Sequence, residues 1–311
     1  MLRIIARGGA EGAALDDPNA LWIDLERPTD DEEKAVEAAL KIEVLTSAER
    51  AALEESARFY QQDDGLYLTA TLLGRRDEGP FVSGPVTFIL AKGKLVTVRE
   101  IRPRAFDIGQ GRASARVGQA KTGGDVMMAL VEGTLERIAD LLSDSTRDVI
   151  KLSTEIFAES GPNPDLRGNL RALGRIGAVI SLTHDCLSSM QRLIVYAKQS
   201  CADYGLDAAR LDVFLRDVGE LERVAEALQT RLGYHQDAAL GFITSAQNDV
   251  LRTLAVATIL FMPPTLISSI FGMNFTHMTW FNAPWGSDVG FLLMIIAPIA
   301  LYAVAKWRRW F

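Results

Sequence analysis

A chain of 311 residues has room for two ordinary domains, or for one domain and something else. Its 33 Lys and Arg against 40 Asp and Glu give a net charge of -7, and no basic run exceeds Arg308-Arg309, which argues against the clustered cations of a nucleic-acid surface. At 48% hydrophobic residues, the chain is also too apolar for a disordered one.

The charge is unevenly placed. From Thr253 to Ser287 there are 35 consecutive residues without Asp, Glu, Lys or Arg, and 17 more separate Asp288 from Lys306. Cys186 and Cys201 lie 15 residues apart with no CxxC partner, so buried reduced thiols are expected rather than a disulfide framework or zinc cluster. The opening Met1-Leu2-Arg3-Ile4-Ile5-Ala6-Arg7 is too short an apolar run for a signal peptide, so the N-terminus is expected in the cytosol.

Residues 1–124 read as a cytoplasmic α/β domain. Leu21–Leu25, Leu66–Leu73, Val86–Leu90 and Lys94–Val98 are short β-branched or alternating runs bounded by Gly and charged residues. Thr29-Asp30-Asp31-Glu32-Glu33 opens a helix with a Thr cap and an acidic first turn, and Thr46-Ser47-Ala48-Glu49 opens another. The domain holds no Walker loop, no HExxH and no Ser/His/Asp grouping, and Gly109-Gln110-Gly111 is too short for a dinucleotide fingerprint. His184, His235 and His277 are too scattered to nominate a catalytic or zinc site. Neither catalytic residues nor a cofactor are expected, and the chain does not read as an enzyme.

From Asp125 the texture changes to long helices, with 98 residues between Pro164 and Pro263 that contain no proline. A helical hairpin is expected over 125–205, one helix running from Asp125 to Ala158 and ending at Glu159-Ser160-Gly161-Pro162, the next from Asp165 to about Cys201. After a turn at Ala202-Asp203-Tyr204-Gly205, a stalk helix is expected over 206–250. Its apolar residues Leu211, Phe214, Leu215, Val218, Leu221, Ala225, Leu228 and Leu232 keep 3/4 spacing, so one face packs on other helices. Nothing stops it before Phe271, and at 1.5 Å per residue it would reach roughly 100 Å, too long for one soluble core.

Two apolar segments follow. The first, 251–271, has no charge after Arg252 and supplies about 20 residues, enough for the hydrocarbon of a bilayer. After a loop at 272–288, the second covers 289–305, ahead of a basic tail at 306–311. Arg252, Lys306, Arg308 and Arg309 flank one side while Phe275 to Asp288 carries no Lys or Arg, so both termini are expected in the cytoplasm.

The polar residues of the first segment share one stripe. Thr258, Met262, Thr265 and Ser269 are spaced 4, 3 and 4, and the rhythm continues upstream through Ala255, Leu251, Asn248, Thr244 and Gly241 to Asp237. Such a face meets either a neighbouring helix or a water-filled path, and periodicity leaves both open. Two spans cannot enclose a pore, so a channel would require an oligomer. Pro263-Pro264 frees the backbone carbonyls of Ile259 and Leu260, as a bend or a tolerated kink does.

Phe271-Gly272-Met273-Asn274 closes this helix, which contains Phe261-Met262-Pro263 and precedes a short loop, a second span and a basic end. The pattern resembles the CorA family of divalent metal-ion transporters, whose signature is Gly-Met-Asn at the outer end of the first of two spans. The resemblance covers the whole architecture and is close over 248–275. It implies a funnel-shaped homopentamer in the cell inner membrane, with a cytoplasmic α/β domain, a long helical stalk and first spans that line an axial pore. Gly272, Met273 and Asn274 would form the selectivity filter. Gly272 and Asn274 would hold the hydrated ion through amide and carbonyl oxygens, with Asp237 as an acidic contact deeper in. Asn248, Leu251, Leu254, Thr258, Met262 and Thr265 match pore-facing positions, joined by Ser269 from the stripe, and Met262 and Leu251 are candidate hydrophobic constrictions.

The resemblance further implies cytoplasmic metal sites that regulate the channel. Asp207, Asp212 and Asp217 are candidates, a solvated helix face being the other reading. Magnesium is the expected ion, with zinc, cobalt or nickel as alternatives. Met278-Thr279-Trp280-Phe281 departs from the Met-Pro-Glu-Leu-like loop usual in magnesium-type members, and Phe271, where tyrosine is frequent, leans toward the ZntB-like zinc branch, for which proton coupling is the alternative mechanism. His277 alone makes a poor zinc site, since zinc takes three or four ligands. A membrane-anchored coiled coil without transport is the reading from another class, and the stripe and Gly-Met-Asn speak against it.

Overall fold

The computed structural model describes residues 1–46, 49, 58–62, 64–76, 79–107, 112–157, 165–273 and 285–308, the side chains of 112–114 excepted. Two compact units make up the chain, Met1–Gln236 and Asp237–Phe311, and each is described by itself.

The first unit is built on a six-stranded sheet with the order β1-β2-β6-β5-β4-β3. The strands are β1 (Leu2–Ala6), β2 (Ala20–Glu26), β3 (Phe59–Gln62), β4 (Gly65–Arg75), β5 (Phe81–Ala91) and β6 (Lys94–Arg99). All neighbours run antiparallel except β2 and β6, which pair in parallel from Trp22 opposite Leu95 to Glu26 opposite Arg99. The four expected strands are present; three are slightly longer, and β5, expected over Val86–Leu90, begins five residues earlier at Phe81. Sequence reading missed β1 and β3. The first is the apolar run at the N-terminus, which pairs with β2 instead of remaining a loose start, and the second, Phe59-Tyr60-Gln61-Gln62, is a short edge strand with a half-polar pattern.

Alternation decides what each sheet face meets. Ile23, Leu25, Ile89, Val96, Val98 and Tyr67 form one buried cluster with Val36 and Leu40 of helix α1 (Asp30–Leu40). Thr29 caps α1 as its sequence promised: the hydroxyl accepts from the Glu32 backbone, and the Glu32 carboxylate accepts from the Thr29 N–H. Thr46 and Glu49 make the same reciprocal bonds, while the body of the helix expected after them lies outside the described residues.

On the opposite face, the residues toward the C-terminal ends of β2 and β6 are polar: Asp24, Glu26, Thr97 and Arg99. Asp24, fully buried, accepts from Arg99 at 2.9 and 3.0 Å, from Arg3 at 2.6 Å and from the Thr97 hydroxyl at 2.8 Å, and Thr97 in turn accepts the Trp22 indole N–H. Arg99 also reaches Glu26 at 2.9 Å. Each buried charge therefore has partners, which is the condition for tolerating it.

Helix α2 (Arg112–Gln119) packs on α3 (Gly123–Phe157), and α3 and α4 (Leu166–Gln199) pack on each other and on the sheet. Asp165 caps α4, accepting from the Gly168 N–H at 2.8 Å. The expected hairpin thus holds within two residues at each described end, and the terminator at 159–162 lies outside the described residues. Helix α5 runs from Ala208 to Phe271, 64 residues, and is continuous through Pro263 and Pro264. Leu211, Phe214, Val218, Ala225, Leu228 and Leu232 are its buried apolar positions in the first unit, on the face that the 3/4 spacing marked, while Leu215 and Leu221 of that spacing are only half-buried. Helix α6 (Gly286–Trp307) exceeds the 289–305 expected for the second span by a turn.

Candidate ion pathway on the first apolar helix

In the second unit, α6 and the part of α5 after Asp237 are each long and apolar enough to cross a membrane, and their side chains are largely bare. Phe261 is 73% exposed, Met262 68%, Leu266 60%, Phe291 67% and Ile295 61%, an apolar surface no water-soluble monomer presents without a covering partner. Trp285 and Trp307 stand exposed at the two ends of α6, where interfacial aromatics belong.

Two faces of α5 differ. Val256, Ile259, Pro263, Ile267 and Phe271 are partly covered, and on α6 the covered positions are Gly286, Gly290, Pro298 and Ala305. Phe271 touches down on Gly290: a Cβ built there would come 2.8 Å from the ring. The absence of a side chain at Gly290 lets α6 approach the ring that closely.

The stripe takes the other side. Asp237, Asn248, Leu251, Leu254, Thr258, Met262, Thr265 and Ser269 are all exposed. At 3.6 residues per turn their mean direction lies roughly opposite that of the covered face. Packing against the second span of the same chain is therefore not what the stripe serves.

Its hydroxyls are oriented by the helix itself. Thr258 donates to the Leu254 carbonyl at 2.9 Å, Thr265 to Phe261 at 2.7 Å and Ser269 to Thr265 at 2.8 Å. With each proton turned back into the backbone, the oxygen lone pairs face outward. A line of acceptors suits a hydrated cation, whose shell waters present hydrogens.

At the outer end, the Gly272 N–H bonds to the Ser268 carbonyl at 2.9 Å and the Met273 N–H to Ile270 at 3.3 Å, closing the helix. Gly272 and Met273 are exposed. Asn274, the third member of the signature, lies outside the described residues, as do His277 and Met278 to Phe281. Sequence reasoning missed Gly290, although the Gly286-x3-Gly290 spacing was the signal that could have found it.

The regulatory candidates lie in the first unit and are not gathered together. Asp207 accepts from the Ala209 and Arg210 N–H groups at the start of α5, Asp212 pairs with Lys198 at 2.6 Å, and Asp217 is exposed. Among the described residues no group of three or more His, Cys, Asp or Glu could hold a metal ion. Cys186 is buried and free, its thiol pushed up to about 12 by burial, whereas Cys201 is free but only half-buried, not buried as expected.

The comparisons with known proteins agree with this architecture. The family described as CorA-like Mg2+ transporter protein matches residues 18–308. The magnesium transport protein CorA of Escherichia coli (strain K12) is 30% identical over 294 residues, covering 94% of this chain and 92% of that protein. Among solved structures, the complete CorA magnesium transporter from Methanocaldococcus jannaschii superposes with a TM-score of 0.72 at 15% identity, covering 98% of this chain and 96% of that one. The ZntB cytoplasmic domain from Vibrio parahaemolyticus aligns with a TM-score of 0.55 at 14% identity, covering 79% of this chain and 98% of that domain. At those identities the solved structures speak for the fold, and the family match over nearly the whole length does the rest: the chain belongs to the CorA-like Mg2+ transporter family.

Proposed function

We propose that the chain is one subunit of a homopentameric channel that admits magnesium across the cell inner membrane, with both termini cytoplasmic and α5 lining the axial pore. One observation carries the reading: the polar stripe of α5 faces away from its partly covered side, the side on which Phe271 meets Gly290 of α6. Lipid offers such side chains no partner, so their place is against the same stripe of other copies, around water. The bare apolar remainder of α5 and α6 meets lipid. The magnesium assignment rests on the E. coli relative, whose name states that ion.

The mechanism follows from the charge and hydration of the ion. Magnesium dehydrates reluctantly, so it passes with its shell, read by Gly272, Met273 and Asn274 at the mouth and by the Thr265 and Thr258 oxygens below. Met262 and Leu251 form apolar rings that stop conduction when they dewet. Asp237 concentrates cations near the cytoplasmic end through a carboxylate from each copy. No cofactor or ATP enters: an inside-negative potential of about 100 mV supplies ~4.6 kcal/mol for a divalent ion. Asp207, Asp212 and Asp217 remain the proposed regulatory carboxylates, read across subunits rather than within one chain.

The test is uptake by liposomes containing the purified protein under an inside-negative potential. Magnesium influx is expected, and Asn274→Ala should abolish it. No flux of any divalent ion at any pH gradient would remove transport altogether. Zinc flux that requires a pH gradient, with magnesium excluded, would replace the reading by the ZntB-like one. Native mass spectrometry checks the copy number, and a stable assembly of any number other than five overturns the pentamer.

A further inference from the structure

Two arginines from separate elements of the first unit converge on one aromatic ring, and the charge of a third acts on one of them. The Arg75 guanidinium, at the end of β4, lies 4.7 Å from the centroid of Phe81, at the start of β5. Arg137 of α3 lies 5.7 Å from the same ring. Arg104, in the 3-10 turn Arg104–Phe106, is close enough to repel Arg137 electrostatically, as is Arg75. Burial pushes the Arg137 guanidinium below its usual range, Arg104 and Arg75 push the same way, and Asp140 and Asp144 farther along α3 only partly oppose them.

The cluster contrasts with its surroundings. Nearby Arg76 pairs with Glu100, Arg102 with Glu26, Arg99 with Asp24 and Glu26, and Arg147 with Asp144. Among the described residues no carboxylate lies within ion-pair distance of Arg75, Arg104 or Arg137. Phe81 holds two of the guanidinium planes by cation-π contact, which fixes their direction at little cost in side-chain freedom. Like charges assembled in this way favour an added anion.

We propose that Arg75, Arg104 and Arg137 form a binding site for a soluble, multiply charged phosphate anion of the pyrophosphate type. Guanidinium forks match phosphate oxygens two at a time, and three of them match an anion of about three charges better than a single phosphate of about two. Arg75 and Arg104 are exposed and Arg137 is half-buried, so the site is open to the cytosol in the topology proposed above. The assignment concerns the first unit alone and stands whether or not the chain conducts magnesium.

The test is calorimetric titration of the full-length protein in detergent with sodium pyrophosphate, at about 50 mM salt, where phosphate contacts are least screened. Saturable binding of one anion per chain is expected, weakening at least about tenfold in Arg137→Gln and in Arg75→Gln/Arg104→Gln. Inorganic phosphate should bind more weakly, and Arg167→Gln on the exposed face of α4 should change nothing. A thermal melt without anion keeps the result clear of misfolding: Arg137→Gln should melt no lower than the parent, because it removes an uncompensated cation. No saturable binding, or equal binding to the parent and the arginine variants, overturns the proposal. One source of such a failure is specific: the β4–β5 connection carries Asp77 and Glu78, outside the described residues, and if they supply the counter-charge, Asp77→Asn/Glu78→Gln will bind pyrophosphate where the parent does not.

Discussion

The Phe271 ring rests on Gly290, so close that a side chain on α6 at that point would fall 2.8 Å from it. Phe271 is the last residue of α5 and Gly272, Met273 and Asn274 of the proposed filter follow directly in the sequence, so this contact lies beside the residues proposed to read the ion. Gly290→Ala should force the ring aside and cost about 1–3 kcal/mol, the usual penalty of overpacking. Magnesium flux should fall more than stability does, since the displaced residue adjoins the proposed filter. Parallel flux and thermal-melt measurements check this, and a melt that drops with no change in flux per folded channel would confine the contact to packing.

Thr258→Val and Thr265→Val keep the side-chain shape and delete the outward oxygen. Both hydroxyls donate only to their own helix in the chain described here, so the fold should tolerate either change. If the oxygens hold shell waters, each loss removes an acceptor from every copy, and flux should fall about twofold to tenfold, the equivalent of one net hydrogen bond. Assembly should stay intact. Dissociation of the oligomer with unchanged flux per channel would return the stripe to the packing reading.

Asp237 is the one carboxylate on the stripe. Asp237→Ala should lower cation flux and weaken its dependence on ionic strength, because a ring of carboxylates concentrates cations by a field that salt screens. The check is flux measured from about 20 to 300 mM salt. Identical curves for parent and variant would make Asp237 an ordinary surface charge.

Much of this was legible because the signals are local. β4 to β6 announce themselves by apolar runs between Gly and charged residues, and α1 by Thr29 and Glu32. The stripe is readable because one helix carries it and 3.6 residues per turn fixes the faces. Long-range relations were not. Nothing local tells that β2 lies beside β6, so the polar residues Asp24, Thr97 and Arg99 could not be seen to meet. Phe271 with Gly290, and Arg75 with Arg104 and Arg137, likewise join residues from separate elements, and only the fold brings them together.

Asp24 is a stability prediction of that kind. Burial alone would raise its carboxyl, but the hydrogen bonds and charges of Arg99 and Arg3 reverse this and hold it below the usual carboxylate range. A depressed carboxyl stabilises the folded state fully above the unfolded value of about 3.9 and ceases to as pH falls through the folded value. Asp24→Asn should cost about 3–5 kcal/mol by stranding buried Arg99 and Arg3. It should also flatten the loss of stability below about pH 4. Trp22, hydrogen-bonded to Thr97 in the same network, supplies the fluorescence to follow unfolding, and an unchanged acid slope would discount Asp24 as the titrating group.

His235 shows the opposite kind of group, a base kept neutral. It is 8% exposed on α5, edge-on to Phe157 at 5.9 Å and to Tyr234 at 5.4 Å, and its Nδ1 has no hydrogen-bond partner. Burial lowers its affinity for a proton, and the neighbouring charge of Arg231 lowers it further. Because the folded value lies below the unfolded one of about 6.5, the unfolded chain takes up the proton first, and stability is lost as pH falls from there through the folded value. His235→Phe keeps a ring against Phe157 and removes both the proton site and the unpaired nitrogen, whose burial costs about 1–3 kcal/mol. The variant should therefore melt higher than the parent at about pH 8 and lose less stability on going to about pH 5. Melting curves at the two pH values decide it: an equal loss in both proteins would mean that the imidazole stays unprotonated throughout and that other groups set the acid sensitivity in this range.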